Sequence, residues 1–380
     1  MCRTIRNIIT YSVAVTVIFI SCSCTSQNNG VNTQNTDTTS KKAVSQAYDN
    51  LDSLLVKDYG NIVLPEKITK SDFENLYKLS LNNSKDVDTD IDYEKEGKEF
   101  FKSFFSDKYK DECCKSEQSG GLSYNNDSQY AFYQRQAQAY MDFDNSILLS
   151  ADNTIETIKL RNKNDTNVVL DGKKISQSDI TDKTNKYMTD CFNKYCGDLK
   201  LIPYDIQVTD NNLATVIFAM NYKGLNIDAY KGNLFEENSD STTFYSSTDI
   251  SCTVNSDLDI TNLFYSTYDK VDSAEKLDEI IPLENAVQLV SDGLSEYSHY
   301  EFDDVLLLYS SKVTQPFIDV TDGKEEPEWL DDYLKKPIEF TPTWCFICDD
   351  EKSGLSRWIV RVDAITGEIT IDAPEGKAGV

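Results

Sequence analysis

From residue 44 the apolar positions Ala47, Tyr48, Leu51, Leu54 and Leu55 recur at helical spacing, which predicts a short helix. A stronger helical pattern covers 92–108, where Phe100, Phe101, Phe104 and Phe105 form an apolar stripe that must pack on something. Over 130–169 the pattern turns to alternation, rich in aromatic and β-branched residues and punctuated by Asp144-Asn145, Asp152-Asn153 and Asn164-Asp165. This predicts an antiparallel meander. Ser176-Gln177-Ser178-Asp179 then reads as a capping-box-like helix start. Ile180, Thr184, Tyr187, Met188, Cys191 and Tyr195 share one helical face, and Gly197 stands just past its end. Strands over 202–208 and 213–222 follow, joined through Asp210-Asn211-Asn212, with a third over 227–230.

The same order returns later. Pro282 opens a helix with Leu283, Ala286, Val287, Val290 and Leu294 on one face, and strands follow over 305–309, 343–348, 357–363 and 369–371. The last two close a hairpin in which Gly367 supplies the left-handed turn residue. The expected fold is therefore α+β, made of tandem units of a helix packed on an antiparallel sheet. The expected boundaries are an N-terminal α+β region over 43–170, a first helix-on-sheet unit over 171–275 and a second over 276–380.

The closing stretch carries a resemblance. Thr341-Pro342-Thr343-Trp344-Cys345-Phe346, then Trp358-Ile359-Val360-Arg361-Val362-Asp363-Ala364-Ile365-Thr366-Gly367-Glu368-Ile369, resembles the end of a PepSY-type domain. Similar endings occur in the extracytoplasmic YycI and YycH regulatory proteins. The likeness covers roughly the last hundred residues, with a fainter echo over 176–230. It implies a helix lying across an antiparallel sheet and a regulatory accessory role outside the cytoplasm. Those regulators are held by an N-terminal transmembrane helix, whereas this chain begins differently.

Arg3 and Arg6 precede an apolar run over 8–20, and no acidic residue occurs before Asp37. These are the n- and h-regions of a secretory signal, too short for a comfortable membrane span. The run ends in Phe19-Ile20-Ser21-Cys22-Ser23-Cys24. That ending resembles a bacterial lipoprotein signal, in which the thiol after the cleaved bond takes a diacylglyceryl group. Cys22, behind Ser21, is the expected lipidation site and Cys24 the alternative. Residues 1–21 are then the signal peptide. Residues 22–42, mostly Asn, Thr, Gln and Ser, form a flexible tether, since such a composition cannot offset its ordering entropy by burial. Two or three acyl chains make a lasting anchor at about 0.8 kcal/mol per buried methylene. The expected location is the outer face of the bacterial cytoplasmic membrane, with the membrane itself as a partner through lipid.

Charge narrows the remaining partners. Against 37 basic residues stand 64 acidic ones, a formal charge of −27, which excludes a phosphate-backbone binder. No nucleic acid is expected.

Candidate chemistry is sparse. The single histidine, His299, removes the usual base, zinc sets and hydrolase triads unless it serves itself, and its surroundings read as a surface position. Asp88, Asp90, Asp92 and Glu99 take the spacing of a calcium loop, but Tyr93 stands where the sharp turn needs glycine. Ser273-Ala274-Glu275-Lys276 matches SxxK by spacing alone. Cys345 and Cys348 lie three apart in a strand, on opposite faces and about 10 Å apart, beyond disulfide reach. Cys191 and Cys196 flank a helix end, bonded to each other or to nothing. The 22 tyrosines suit half-buried sheet positions, with a minority free for recognition. No catalytic residue, cofactor or metal is expected, and the chain reads as no enzyme. The leading expectation is a lipid-anchored surface protein that binds a protein partner at the envelope, as a regulatory or sensory accessory. A binder of a small solute, peptide or glycan comes second, and a hydrolase without a recognisable motif third.

Overall fold

A computed structural model describes residues 38–82, 98, 114–115, 122–125, 130–134, 138–142, 154–162, 166–192, 196–229, 232–234, 241–246, 248–266, 270–294, 299–316, 336–348 and 358–371. Cys22, Cys24 and the acids over 86–96 lie outside them, as does the helix expected over 92–108 apart from Lys98.

Two large sheets dominate. The first runs in the order Cys114–Lys115, Leu122–Asn125, Tyr130–Gln134, Gln138–Asp142, Ile260–Ser266, Asp249–Val254, Ala214–Tyr222, Lys200–Thr209 and Thr154–Lys159, with Leu225–Asn226 added beside Ala214–Tyr222. The second runs Gly232–Leu234, Ser241–Ser246, Asp304–Pro316, Ile338–Cys348, Trp358–Asp363 and Ile369–Ile371. Leu76–Asn82 joins it by pairing with both Ile338–Cys348 and Lys270–Leu277. Every pairing within these sheets is antiparallel.

The α-helices are α1 (Leu51–Leu55), α2 (Gln177–Phe192) and α3 (Leu283–Gly293) among the described residues. In α2, Ser176 Oγ accepts the Asp179 amide hydrogen at 3.0 Å, the cap its sequence announces. Ile180, Thr184, Met188 and Phe192 form its buried stripe on the first sheet, where the Phe192 ring stacks on Tyr265 with centroids 4.1 Å apart. In α3, Pro282 starts the helix in extended geometry, and Leu283, Ala286, Val287 and Val290 are buried against the second sheet. The far end of α3 is closed from a distance, because Asn61 Nδ2 donates to the Ser291 and Leu294 carbonyls at 2.8 and 3.3 Å. The helical pattern from residue 44 breaks into a 3-10 turn, Val44–Gln46, and α1, separated by Asn50 at φ 61°.

The tandem α+β expectation is overturned. The described residues are mostly strand, and their strands are interleaved. Residues 200–222 lie inside a sheet begun by 114–142, while the second sheet takes strands from 76–82 and 232–246 as well as from 304–371. The described residues, from 38 to 371, belong to one compact unit. The expected meander over 130–169 is likewise corrected: Tyr130–Gln134 and Gln138–Asp142 pair, but Thr154–Lys159 lies at the opposite edge beside Lys200–Thr209, and Asn167–Leu170 makes a small hairpin with Lys173–Ser176. Alternation fixes which side chains share a face and says nothing of which strand lies alongside.

Ile338–Cys348 shows how the layers stack. Trp344 and Phe346 face the α3 core, whereas Cys345 and Ile347 turn the other way, towards Tyr204 and Ala219 of the first sheet. Both faces are buried. At Lys223-Gly224, φ values of 50° and 98° make the tight turn from Tyr222 to Leu225. A β-carbon on Gly224 would sit 1.9 Å from the Asp72 carbonyl oxygen, so glycine lets the 70–73 segment cross over this turn.

Candidate functional site

His299 is exposed, and its Nε2 faces Glu301 Oε1 at 3.5 Å. Among the described residues no three His, Cys, Asp or Glu side chains group as ligands for an ion. Ser273 and Lys276 lie three residues apart in the Lys270–Leu277 strand, on opposite faces, so the SxxK spacing brings no amine to the hydroxyl.

Cys345 and Cys348 also point to opposite faces, and none of Cys191, Cys196, Cys252, Cys345 and Cys348 is in a disulfide. Cys345 is buried between the sheets. Desolvation pushes its thiol up to about 12, with the Asp228 charge adding to the rise and Arg361 opposing it. Burial lifts Cys252 as well. Alkylation of the native chain at pH 8 is expected to label the partly exposed Cys191 and Cys348 and to spare Cys345 and Cys252 until denaturant is added. Peptide mass mapping reads this directly, and early labelling of Cys345 would contradict its burial.

Charged side chains lie between the sheets. Arg361 and Asp228 are both fully buried, with Arg361 Nε and Nη2 each 3.0 Å from Asp228 Oδ2, and Ser310 Oγ donates to the same oxygen at 2.9 Å. The Asp228 amide donates to the Tyr309 carbonyl at 2.8 Å, and the Thr248 amide donates to the Asp228 carbonyl at 3.3 Å. Residues 228 and 248 thus close the excursion by which the chain leaves the first sheet, builds Gly232–Leu234 and Ser241–Ser246 into the second, and returns. Nearer the edge, Arg161 donates from Nε to Asp304 Oδ2 at 2.6 Å and from Nη1 to Asp205 Oδ1 at 3.2 Å, while its guanidinium lies 5.2 Å from the Tyr204 ring centre. Both networks pair buried or half-buried charges between the layers. They staple the layers.

Among the described residues, one arrangement open to another molecule is the outer edge of Thr154–Lys159. This strand ends the first sheet, and no described strand pairs with its outer side. Its register with Lys200–Thr209 sets Glu156 opposite Val208 and Thr154 opposite Thr209, leaving Ile155 as a bulged residue with nothing opposite. The bulge turns Ile155 outwards, 66% exposed, while Ile158 packs against the core. Beside it Thr209, 7% exposed, has a buried hydroxyl with no hydrogen-bond partner. Exposed acids surround this end of the sheet: Glu156 on the strand, Asp210 following Thr209, and Asp259 in the turn after Asp249–Val254. The nearby Lys173 is bonded to Asp257.

Sequence reasoning missed these residues. Ile155 sits in an ordinary alternating run, and a bulge is a property of the pairing. Arg361 carried the clearer signal, an arginine set among the apolar Ile359, Val360 and Val362.

No family model matches the chain, and no curated protein matches it. Among solved structures, an uncharacterized protein from Eubacterium rectale ATCC 33656 is similar at 14% identity and a TM-score of 0.45, over 83% of this chain and 91% of that one.

Proposed function

We propose that this chain is held by lipid on Cys22 at the outer face of the bacterial cytoplasmic membrane, where it docks a protein partner of the envelope in a regulatory or sensory accessory role. The signal-like N-terminus and the PepSY-like closing hairpin support the location. The open Thr154–Lys159 edge with its outward-turned Ile155 carries the docking. An unpaired strand edge presents a row of backbone donors and acceptors, and an exposed aliphatic side chain beside it adds an apolar anchor. The large aromatics Tyr204, Tyr222, Tyr265, Tyr309 and Trp344 are buried in the cores, which favours a partner met at the surface over a solute enclosed by aromatic rings.

The test uses the full chain solubilised from membranes in mild detergent. Ile155→Asp is expected to lose a co-purifying protein that the unchanged chain retains, with thermal unfolding unaltered because the side chain is exposed. Cys22→Ala is expected to leave an unprocessed precursor or to release the chain from the membrane. Equal recovery of the partner by both forms would overturn the docking reading. Membrane retention and normal processing of the Cys22→Ala chain would move the lipid to Cys24 or remove it.

A further inference from the structure

Resting on the docking reading, we infer that the partner element taken at this edge is an extended basic segment carrying an apolar side chain, added as an antiparallel strand beside residues 154–157. Outward N–H and C=O groups of an edge strand are satisfied by extended backbone, since a helix has already used its own. The edge is short and is closed at its far end, where Arg161 is engaged by Asp205 and Asp304. Docking therefore concentrates at the Thr154 end, where Ile155 is turned outwards.

Charge selects the occupant. Glu156 and Asp259 are exposed at this end, and the chain carries −27 overall. A second copy of this chain is disfavoured, because two such bodies repel and a symmetric antiparallel pairing centred on Glu156 sets that carboxylate against itself. A segment rich in lysine or arginine gains where a second copy loses, and its apolar side chain meets Ile155.

The probe is a short labelled peptide in which lysine alternates with threonine around a central valine, titrated against the full chain and read by fluorescence anisotropy at low salt. The peptide is expected to bind. Affinity should fall about ten-fold or more when glutamate replaces lysine, when alternate backbone nitrogens are methylated, and when the chain carries Ile155→Asp or Glu156→Lys. Absence of binding overturns the inference. So does binding that survives backbone methylation, which would be diffuse charge attraction, or binding indifferent to both variants. If a cross-linker at residue 155 captures an envelope protein through an acidic or helical segment, the docking reading stands and this inference fails. If it captures nothing, the docking reading itself fails.

Discussion

Asp228→Ala is expected to destabilise the chain by about 3 to 5 kcal/mol, the effect of stripping one partner from a buried ion pair. Arg361 is fully buried, so without Asp228 its guanidinium keeps its charge in a site that water does not reach. The loss also takes the Ser310 hydroxyl's acceptor. Equilibrium denaturation by urea measures the change. Replacing both members, Asp228→Leu with Arg361→Met, is expected to recover most of the stability, because the cost lies in the unpaired charge and not in the absence of the pair. If Asp228→Ala costs less than about 1 kcal/mol, Arg361 has another route to solvent or charge, and the account of the inter-sheet layer is wrong.

Trp344→Ala is expected to cost a similar amount, about 3 to 5 kcal/mol, by a different mechanism. Its ring is fully buried on the α3 side of Ile338–Cys348, meets Tyr48 edge-on with centroids 5.2 Å apart, and shares its core with Leu283, Val287 and Val290. The indole Nε1–H donates to the Ile281 carbonyl at 2.9 Å, immediately before α3 begins. Trp344→Phe separates the two contributions: much of the packing stays, and the carbonyl loses its donor, for about 1 to 3 kcal/mol. Tryptophan fluorescence of a chain carrying Trp329→Phe and Trp358→Phe provides a second readout, since a buried Trp344 emits at short wavelength until the chain unfolds. A solvent-exposed emission in the native state would contradict this placement.

These two sites also mark what could be read from the sequence. The burial of Trp344 and Phe346 on the helix-facing side was legible, because residues two apart in a strand share a face and Leu283, Val287 and Val290 recur at helical spacing. The closing turn was legible too: Asp363 Oδ1 accepts the Ile365 and Thr366 amides, each at 2.8 Å, and Gly367 takes φ 78°. Sheet membership was not legible. Leu76–Asn82 pairs with a strand nearly two hundred residues later and with another beyond it, and nothing in Leu76, Leu79 and Leu81 names those partners. The same blindness made two helix-plus-hairpin segments look like independent units, when each hairpin belongs to a wider sheet that draws strands from elsewhere in the chain. Asp228 was invisible for a related reason, as the acid between Ile227 and Ala229 becomes a core residue only when Arg361 is brought to it. The candidate edge depends on the bulge at Ile155, which exists in the pairing alone.

Docking at the Thr154–Lys159 edge is tested most directly by a photoactivatable amino acid at position 155 in the full chain on intact cells, with the same residue at position 56 as control. Val56 is 84% exposed at the end of α1, so it reports what a merely accessible site captures. The expected result is one discrete adduct with an envelope protein from position 155, absent from position 56 and lost when Glu156→Lys is added. No adduct at 155, or the same adducts from both positions, would contradict it.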